Sequence, residues 1–325
     1  AGLVLEAGTR GGMKTVLFTG GGGVGNEAID RLYAGRYRCL FADADPAGIA
    51  PTIPAERRFG APRADAGDFA PALAALCRAE AVDLVLLGVD EELPHAADIR
   101  AAAPATAVIP PDPDFVARAL DKAQTAWALA DAGLPAPRTL LGDEAEAADF
   151  PCIVKPRSGR GSRGVAVLEE AAQVTAYLAL HRLRPDQIVL QELLRGREYT
   201  VQMAADADGV LAAVAPVAVA LKRGVTLRAE TAEAPGVVAA CRAVHEAFPT
   251  AGCYNIQGIE TEDGRFVPFE INPRISTTFC LGVAAGLEPL AIFFEGATPG
   301  AAPVVARPGV TLTRSWVNHF GERDA

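Results

Sequence analysis

The chain has 325 residues, half of them hydrophobic, and a net charge of −10. This length exceeds what one hydrophobic core usually organises, so two or three lobes are expected. The acidic balance, with no run of Lys or Arg, argues against nucleic-acid binding. No stretch approaches the roughly 20 apolar residues that cross a membrane. Six cysteines and four histidines show neither a disulfide framework nor metal-ligand spacing, which predicts a reducing, cytoplasmic location.

The first 12 residues are interpreted as a tag or an upstream extension, with Met13 as the natural start. They lack the long apolar core of a signal peptide.

Residues 13–112 alternate between two kinds of pattern. Short apolar runs at 14–19, 37–42 and 83–88 are typical of buried strands, and helical stretches lie at 26–33 and 68–80. Alternating strands and helices predict a parallel, Rossmann-like α/β domain, which the prolines at 110–113 bring to an end.

The second half of the chain predicts an α+β region in two lobes. A helical pattern at 114–132 opens a segment, residues 113–195, that combines a linker helix with a first lobe. Residues 196–325 form the second lobe, where Asp208-Gly209 and Asp263-Gly264 are hairpin signals. Strand patterns occur in this half of the chain at residues 150–155, 165–168, 188–193, 198–204, 210–219, 255–260 and 266–271. A last strand-like run, 310–317, has no assigned role.

A glycine cluster at residues 20–25 joins the first strand to the first helix, and Asp43 ends the next strand. This arrangement matches the dinucleotide fingerprint and would suit an NAD(P)-dependent oxidoreductase. A tight strand-to-helix turn without a nicotinamide is the alternative.

A second glycine-rich loop, residues 158–164, follows Lys155 at the end of a strand. Glycines free the backbone to fold over phosphate oxygens, so the loop is a candidate phosphate cover. A surface hairpin is the alternative. Downstream, Gln191 to Leu194 and then Glu198 occur where a strand becomes a connector, which could border adenine and ribose or be an ordinary strand with a solvated Glu.

The sharpest pattern combines Gln257 with Glu270 and Asn272. Residues 270 and 272 lie two apart on a strand and therefore face the same side, and Gln257 falls on a candidate neighbouring strand. Oxygen ligands of this kind suit Mg²⁺. Arg274 follows, where a transferring phosphoryl group needs a cation. A plain polar strand edge is the alternative.

Together these motifs resemble the ATP-grasp superfamily. The resemblance is carried by FEINPR after NIQG, by IVKP before a glycine-rich loop, by QELLRGREYTV and by DKAQTAWALADAGLPAPRT, and it covers about residues 14–295. It is strongest to single-chain proteins similar to half of the carbamoyl-phosphate synthase large subunit, which include the ligase of pyrrolysine synthesis. It implies a Rossmann-like pre-ATP-grasp domain followed by a two-lobed ATP-grasp domain.

The resemblance also implies roles for particular residues. Gln257, Glu270 and Asn272 would hold Mg²⁺, with Mn²⁺ as an alternative, and Arg274 would stabilise an acyl phosphate. ATP would be bound by Lys122, Lys155, Ser158, Gly159, Gly161, Ser162, Gly164, Gln191, Glu192, Leu193, Leu194 and Glu198. Many family members have an acidic residue where this chain has Gln257. Lys222 or Arg228 would supply a cation near the γ-phosphate, and Lys222 is taken as the catalytic candidate.

The implied activity is ligation of a small carboxylate, such as an amino acid, to an amine through an acyl phosphate. An acyl-phosphate-forming or carbamoyl-phosphate-type kinase and the oxidoreductase remain alternatives. Candidate substrate-binding residues are Gly22, Asp43, Asp90, Glu91 and Ser276. The expected partners are small molecules only, without nucleic acid or membrane, and a homodimer stays open.

Overall fold

The computed structural model describes residues 12–318, so the expected tag or extension at 1–12 lies almost entirely outside the described residues. Three β-sheets follow one another along the chain. Within residues 12–318, no helix combines the length and the apolar character that crossing a bilayer requires.

The first sheet, here called the parallel sheet, has five strands in the order β3-β2-β1-β4-β5. All of its strand pairs are parallel, as the Rossmann-like prediction requires. The strands are β1 (Lys14–Thr19), β2 (Tyr37–Asp43), β3 (Arg58–Gly60), β4 (Leu84–Leu86) and β5 (Ala107–Val108), and the helices are α1 (Asn26–Tyr33), α2 (Phe69–Ala79) and α3 (Ala96–Ala102). The predicted α/β character of this region is confirmed.

Two helices, α4 (Pro113–Ala119) and α5 (Lys122–Asp131), occupy the stretch that the sequence predicts as one helix. The single-helix prediction is wrong at Asp121. The Asp121 carboxylate accepts hydrogen bonds from the backbone N–H groups of Ala123 and Gln124, so it caps a new helix start. It also pairs with the guanidinium of Arg157, 2.7 Å away, which ties this cap to the second sheet.

The second sheet, called the lid sheet, has four strands in the order β6-β9-β7-β8. They are β6 (Thr139–Leu141), β7 (Cys152–Pro156), β8 (Ala166–Leu168) and β9 (Ile188–Glu192), with helix α6 (Ala172–His181) packed on them. Residues 158–164, the lid loop, join β7 to β8. Strand β6, three residues long, has no counterpart among the sequence predictions.

The third sheet, called the C-terminal sheet, is antiparallel except at one short edge pairing. Its strands are β10 (Gly196–Ala205), β11 (Leu211–Arg223), β12 (Val225–Thr231), β13 (Gly252–Thr261), β14 (Phe266–Asn272), β15 (Val304–Val305) and β16 (Thr311–Thr313), and its helices are α7 (Pro235–Ala247), α8 (Phe279–Ala284) and α9 (Pro289–Glu295). The strand-like run at 310–317 forms only the three-residue β16, which pairs with β12.

The parallel and C-terminal sheets share one hydrophobic core. Val16 and Phe18 of β1 belong to the same buried cluster as Ala215 of β11 and Phe279 and Leu281 of α8. A common core fixes the two sheets relative to each other, because close-packed interiors do not slide freely.

A bulge between Gln257 and Gly258 shapes the pairing of β13 with β14. Gln257 pairs with Glu270, whereas the next residue, Gly258, pairs with Pro268, so Phe269 is the extra residue. A Cβ atom added to Gly258 would lie 2.4 Å from the buried Phe266 ring and 2.7 Å from the Val267 carbonyl oxygen. The bulge therefore depends on the missing side chain at this position.

We expect Gly258→Ala to lower the free energy of unfolding by about 1–3 kcal/mol through overpacking at the bulge. Denaturant unfolding followed by circular dichroism measures this loss. Gly67→Ala is the matched control, since a Cβ there meets no atom within 4 Å. Equal stability of the two variants would show that the bulge does not constrain residue 258.

Candidate active site

A cavity of about 640 Å³ lies between the lid sheet and the C-terminal sheet. It gathers side chains that are far apart in the sequence. Of the sequence-predicted residues, those that line it are Lys155, Gly161, Ser162, Gln191, Glu192, Leu193, Leu194, Glu198, Lys222, Gln257, Glu270, Asn272, Arg274 and Ser276. Those outside its lining are Lys122, Ser158, Gly159, Gly164, Gly22, Asp43, Asp90 and Glu91.

The three candidate metal ligands face this cavity from two adjacent strands. Gln257 is directly opposite Glu270, and Asn255 is directly opposite Asn272. Residues 255 and 257, like 270 and 272, are two apart, so the four side chains share one face of the sheet. The Asn272 side-chain amide lies 3.5 Å from Asn255 Oδ1, near the limit of a hydrogen bond.

This donor set fits a hard divalent cation. The side-chain oxygens of Gln257, Glu270 and Asn272 are the ligand type that Mg²⁺ prefers when phosphates and water complete its shell. No ion pair within residues 12–318 engages the Glu270 carboxylate, which is left to face the cavity. Among the described residues, no group of three or more His, Cys, Asp or Glu side chains is placed so that it could hold a metal ion, so a site here would rely on amide oxygens and on the ligand itself.

Lys222 lies beside this oxygen cluster, at the end of β11. Its Nζ donates to Glu198 Oε1 at 2.9 Å and to Gln257 Oε1 at 3.3 Å. Arg228 lies on the following strand, is exposed and does not line the cavity. Of the two candidate cations, only Lys222 therefore lines the cavity.

Lys155 approaches from the lid side and is 5% exposed. Its Nζ donates to the Phe269 carbonyl oxygen at 3.3 Å, an atom that the bulge presents to the cavity, and lies 5.0 Å from the centre of the Phe269 ring. Burial lowers the pKa of Lys155 to about 8, partly opposed by the negative charge of Glu270. A buried amine with a lowered pKa is suited to take up or retain a proton when an anion binds beside it.

The lid loop is held from below by Lys122. The buried Lys122 Nζ donates to the Gly159 carbonyl oxygen at 2.7 Å, which places this amine under the loop instead of in the cavity wall. Gly159 and Gly161 have φ angles of 119° and 73°. These values favour glycine and let the loop backbone turn toward the cavity.

Part of the cavity lining is apolar and suits a flat ring. Ile153, Val165 and Ile259 line it together with Leu193 and Leu194 of the connector after β9. Gln191 is buried, and its amide donates to Thr139 Oγ1 at 2.9 Å, so it supports this part of the wall. An apolar slot beside exposed connector backbone is a common way to hold a nucleobase.

Arg274 lines the cavity and pairs with Asp90. Its Nε lies 2.7 Å from Asp90 Oδ1, and its Nη2 lies 3.4 Å from Asp90 Oδ2. Asp90 and its neighbour Glu91, which the sequence suggests as substrate ligands, thus form ion pairs with arginines, since Arg160 of the lid loop contacts both of their carboxylates.

The first glycine cluster forms a self-contained turn. The Gly21 N–H donates to the Ala42 carbonyl oxygen, and the Gly22 N–H donates to Asp43 Oδ2, both at 2.9 Å. The Asp43 carboxylate also accepts from the Asp45 N–H. These bonds account for Gly22 and Asp43 as parts of a strand-to-helix turn.

Several cavity residues escape the sequence predictions, and one signal would have found some of them. Ile153 precedes Lys155 by two residues, and Asn255 and Ile259 flank Gln257 by two on either side. Because strand side chains alternate with period two, extending each motif by two positions reaches them. Thr200, two residues after Glu198, is reached in the same way, but its pairing with Gln257 across β10 and β13 is a relation that no local pattern reveals.

No curated protein matches the sequence. Among solved structures, pyruvate carboxylase from Rhizobium etli is similar with a TM-score of 0.67 at 15% identity, covering 89% of this chain and 29% of that one. This chain therefore corresponds to less than a third of that enzyme. Biotin carboxylase from Campylobacter jejuni gives a TM-score of 0.65 at 16% identity, covering 90% of this chain and 72% of that one.

The L-amino acid ligase from Bacillus licheniformis has a TM-score of 0.61 at 15% identity, covering 87% of this chain and 74% of that one. At sequence identities this low, the similarity to these structures shows a shared fold and nothing more.

The family evidence comes from the sequence, where a model described as an ATP-grasp domain matches residues 119–278. That span contains the lid sheet, the lid loop, β10 to β14 and every candidate ligand of the nucleotide and the metal. The chain thus contains an ATP-grasp domain over residues 119–278.

Proposed function

We propose that the protein is an ATP- and Mg²⁺-dependent ligase that joins a small carboxylate to an amine through an acyl phosphate. The observation that carries the proposal is the Glu270 carboxylate, which has no ion-pair partner within residues 12–318 and faces the same cavity as the cations of Lys155, Lys222 and Arg274. A protein with a net charge of −10 has concentrated these cations at one place, as binding of a polyphosphate requires.

The proposed roles follow from position. Lys155 and Lys222 neutralise phosphate oxygens from opposite walls, and the lid loop excludes water. Gln257, Glu270 and Asn272 would hold Mg²⁺, which when bound withdraws charge from the phosphates. Arg274 faces the end where a substrate carboxylate oxygen would bond to the γ-phosphorus while the bond to ADP breaks. The amine nitrogen would then bond to the carbonyl carbon, with loss of a proton and inorganic phosphate.

The substrate pair and the branch of the superfamily are part of the proposal. Ser276, Thr277 and Thr278 line the cavity beside Arg274, and hydroxyls next to a guanidinium suit a small polar carboxylate. We favour an amino acid, in line with the resemblance to the carbamoyl-phosphate-synthase-like and pyrrolysine-ligase-like branch. An acyl-phosphate or carbamoyl-phosphate kinase would use the same residues and differ in product mass.

The proposal is tested by screening amino acids and small carboxylates, with ammonia and amines, for stimulated ADP release from Mg·ATP. Mass spectrometry of the products separates ligation from kinase activity. Before this screen, the shift in melting temperature caused by Mg·ATP is compared with the shifts caused by NADH and NADPH. Stabilisation by a nicotinamide cofactor and none by Mg·ATP would reject the proposal.

We expect Glu270→Ala to abolish ADP release, since it removes the only carboxylate among the three candidate metal ligands. Its melting temperature should stay close to that of the wild type, because this carboxylate makes no ion pair within the described chain. Glu262→Gln, in the exposed turn after β13, is the control and should keep full activity. Near-normal ADP release by Glu270→Ala would refute the metal assignment.

The two candidate cations of the β11–β12 hairpin can be compared directly. Lys222→Met should lower kcat about 100-fold, because a charge near the transferring phosphoryl group is lost. Arg228→Gln should change kcat less than about twofold, since this side chain lies outside the cavity. Steady-state ADP release measures both, and the reverse order would transfer the role to Arg228.

Binding of Mg·ADP should depend on the protonation of Lys155. A bound anion favours the ammonium, so affinity should be highest below the pKa of about 8 and fall as pH rises through it, by up to about tenfold per pH unit. Isothermal titration calorimetry between pH 7 and 9.5 measures the change.

In Lys155→Arg the guanidinium stays charged throughout this range, so the dependence should disappear. Lys14→Arg, which alters an exposed lysine on β1, should keep the wild-type profile. A flat wild-type profile would show that Lys155 does not titrate on binding.

A further inference from the structure

One carboxylate links the lid loop to Arg274. Asp90 follows β4 at the carboxyl edge of the parallel sheet, where α/β proteins usually bind ligands. In this chain that position receives side chains from the ATP-grasp domain. Asp90 pairs with Arg274 at 2.7 Å, and Nη1 of Arg160 lies 3.6 Å from its other oxygen.

The pair of Asp90 with Arg274 is well shielded, since the side chains are 13% and 15% exposed. Asp90 occupies the Nε–Nη2 edge of the guanidinium, and Nη1 donates to the Ile275 carbonyl oxygen at 3.1 Å. These bonds set the plane of a guanidinium that also lines the cavity. A guanidinium that is already oriented before the substrate binds loses less conformational entropy during the reaction.

The contact of Arg160 differs in character. Its side chain is 41% exposed and reaches from the lid loop to Glu91, which is 60% exposed, and to Asp90 behind it. Such a pair is weak and reversible, which suits a loop that must open and close. The lid loop is thus joined to the parallel sheet at the residue that holds Arg274.

We propose that Asp90 is the positioning residue of Arg274 and, with Glu91, the docking point of lid residue Arg160, so that lid closure and alignment of Arg274 occur together. The effect of Asp90 on turnover rests on the proposed function, whereas the docking of the lid loop does not depend on it. The two parts are therefore tested separately.

The docking part is tested on the nucleotide-free protein by limited trypsin digestion. Trypsin cuts after Arg163, an exposed residue of the lid loop, and the cut is followed by the mass of the fragment that begins at Gly164, which cleavage after Arg160 does not shorten. Arg160→Gln should raise the cleavage rate about threefold to fivefold, the range of an exposed ion pair, and Asp90→Asn should raise it less, because the contact of Arg160 with Glu91 remains. The double variant should be no faster than Arg160→Gln alone, because Arg160→Gln already removes both contacts of the loop.

Glu230→Gln is the matched control, since it removes the exposed pair with Arg197, 2.6 Å apart, whose residues do not line the cavity. It should leave the cleavage rate unchanged. Asp90→Asn cleaved at the control rate, or a double variant whose effect is the product of the two single effects, would overturn the docking proposal. Arg160→Gln keeps the test valid if Asp90→Asn folds poorly.

The positioning part is measured by the ADP release that tests the proposed function. Asp90→Asn should lower kcat on the order of 100-fold, the cost of a misplaced catalytic group, with the KM for ATP within about twofold of the wild type. Asp90→Glu, which restores the carboxylate, should recover part of kcat. A fall in kcat accompanied by a comparable change in the KM for ATP, or an unchanged kcat, would reject the positioning role. A wild type that releases no ADP would reject the proposed function without affecting the docking result.

Discussion

The register of β13 against β14 is the constraint on which the candidate site depends. It sets Gln257 opposite Glu270 and Asn255 opposite Asn272, so four polar side chains meet on one face. A shift by one residue would turn all of them to the opposite face. The bulge at Gly258 absorbs one extra residue immediately after this group, and the carbonyl oxygen of the extra residue, Phe269, binds the buried ammonium of Lys155. The same local irregularity thus orders the oxygen cluster and one of its neighbouring cations.

The cations of the site are held in distinct ways that match their proposed roles. Lys222 is paired with Glu198 and Gln257, Arg274 is paired with Asp90, and Lys155 has only a carbonyl oxygen and an aromatic face. Charges removed from water are costly unless they are compensated. The pair with Asp90 orients Arg274, whereas burial without a paired carboxylate lowers the pKa of Lys155 to about 8. An anionic ligand would supply the compensation that Lys155 lacks.

The shared core of the parallel and C-terminal sheets explains how Asp90 reaches Arg274 across 184 positions of sequence. Residues of β1, β11 and α8 pack in one buried cluster, which fixes the carboxyl edge of the parallel sheet over the end of β14. The lid sheet has its own small core and contacts the rest through side chains such as Arg157 and Arg160. Separate packing of this kind allows a lobe to move while the remaining framework stays intact.

The sequence alone determined the order of α/β and α+β regions, most strand positions and the polar group on β14, because alternation with period two is a local property of the chain. It also carried the motifs of the superfamily. It could not separate α4 from α5, since the capping of a new helix start by Asp121 is reinforced by Arg157 from a distant strand. Nor could it show that Lys222 lines the cavity while Arg228 does not, or that Asp90 and Glu91 contact arginines. Those outcomes depend on which strands pair and which cores merge, and only the tertiary structure brings such distant charges within a few ångströms.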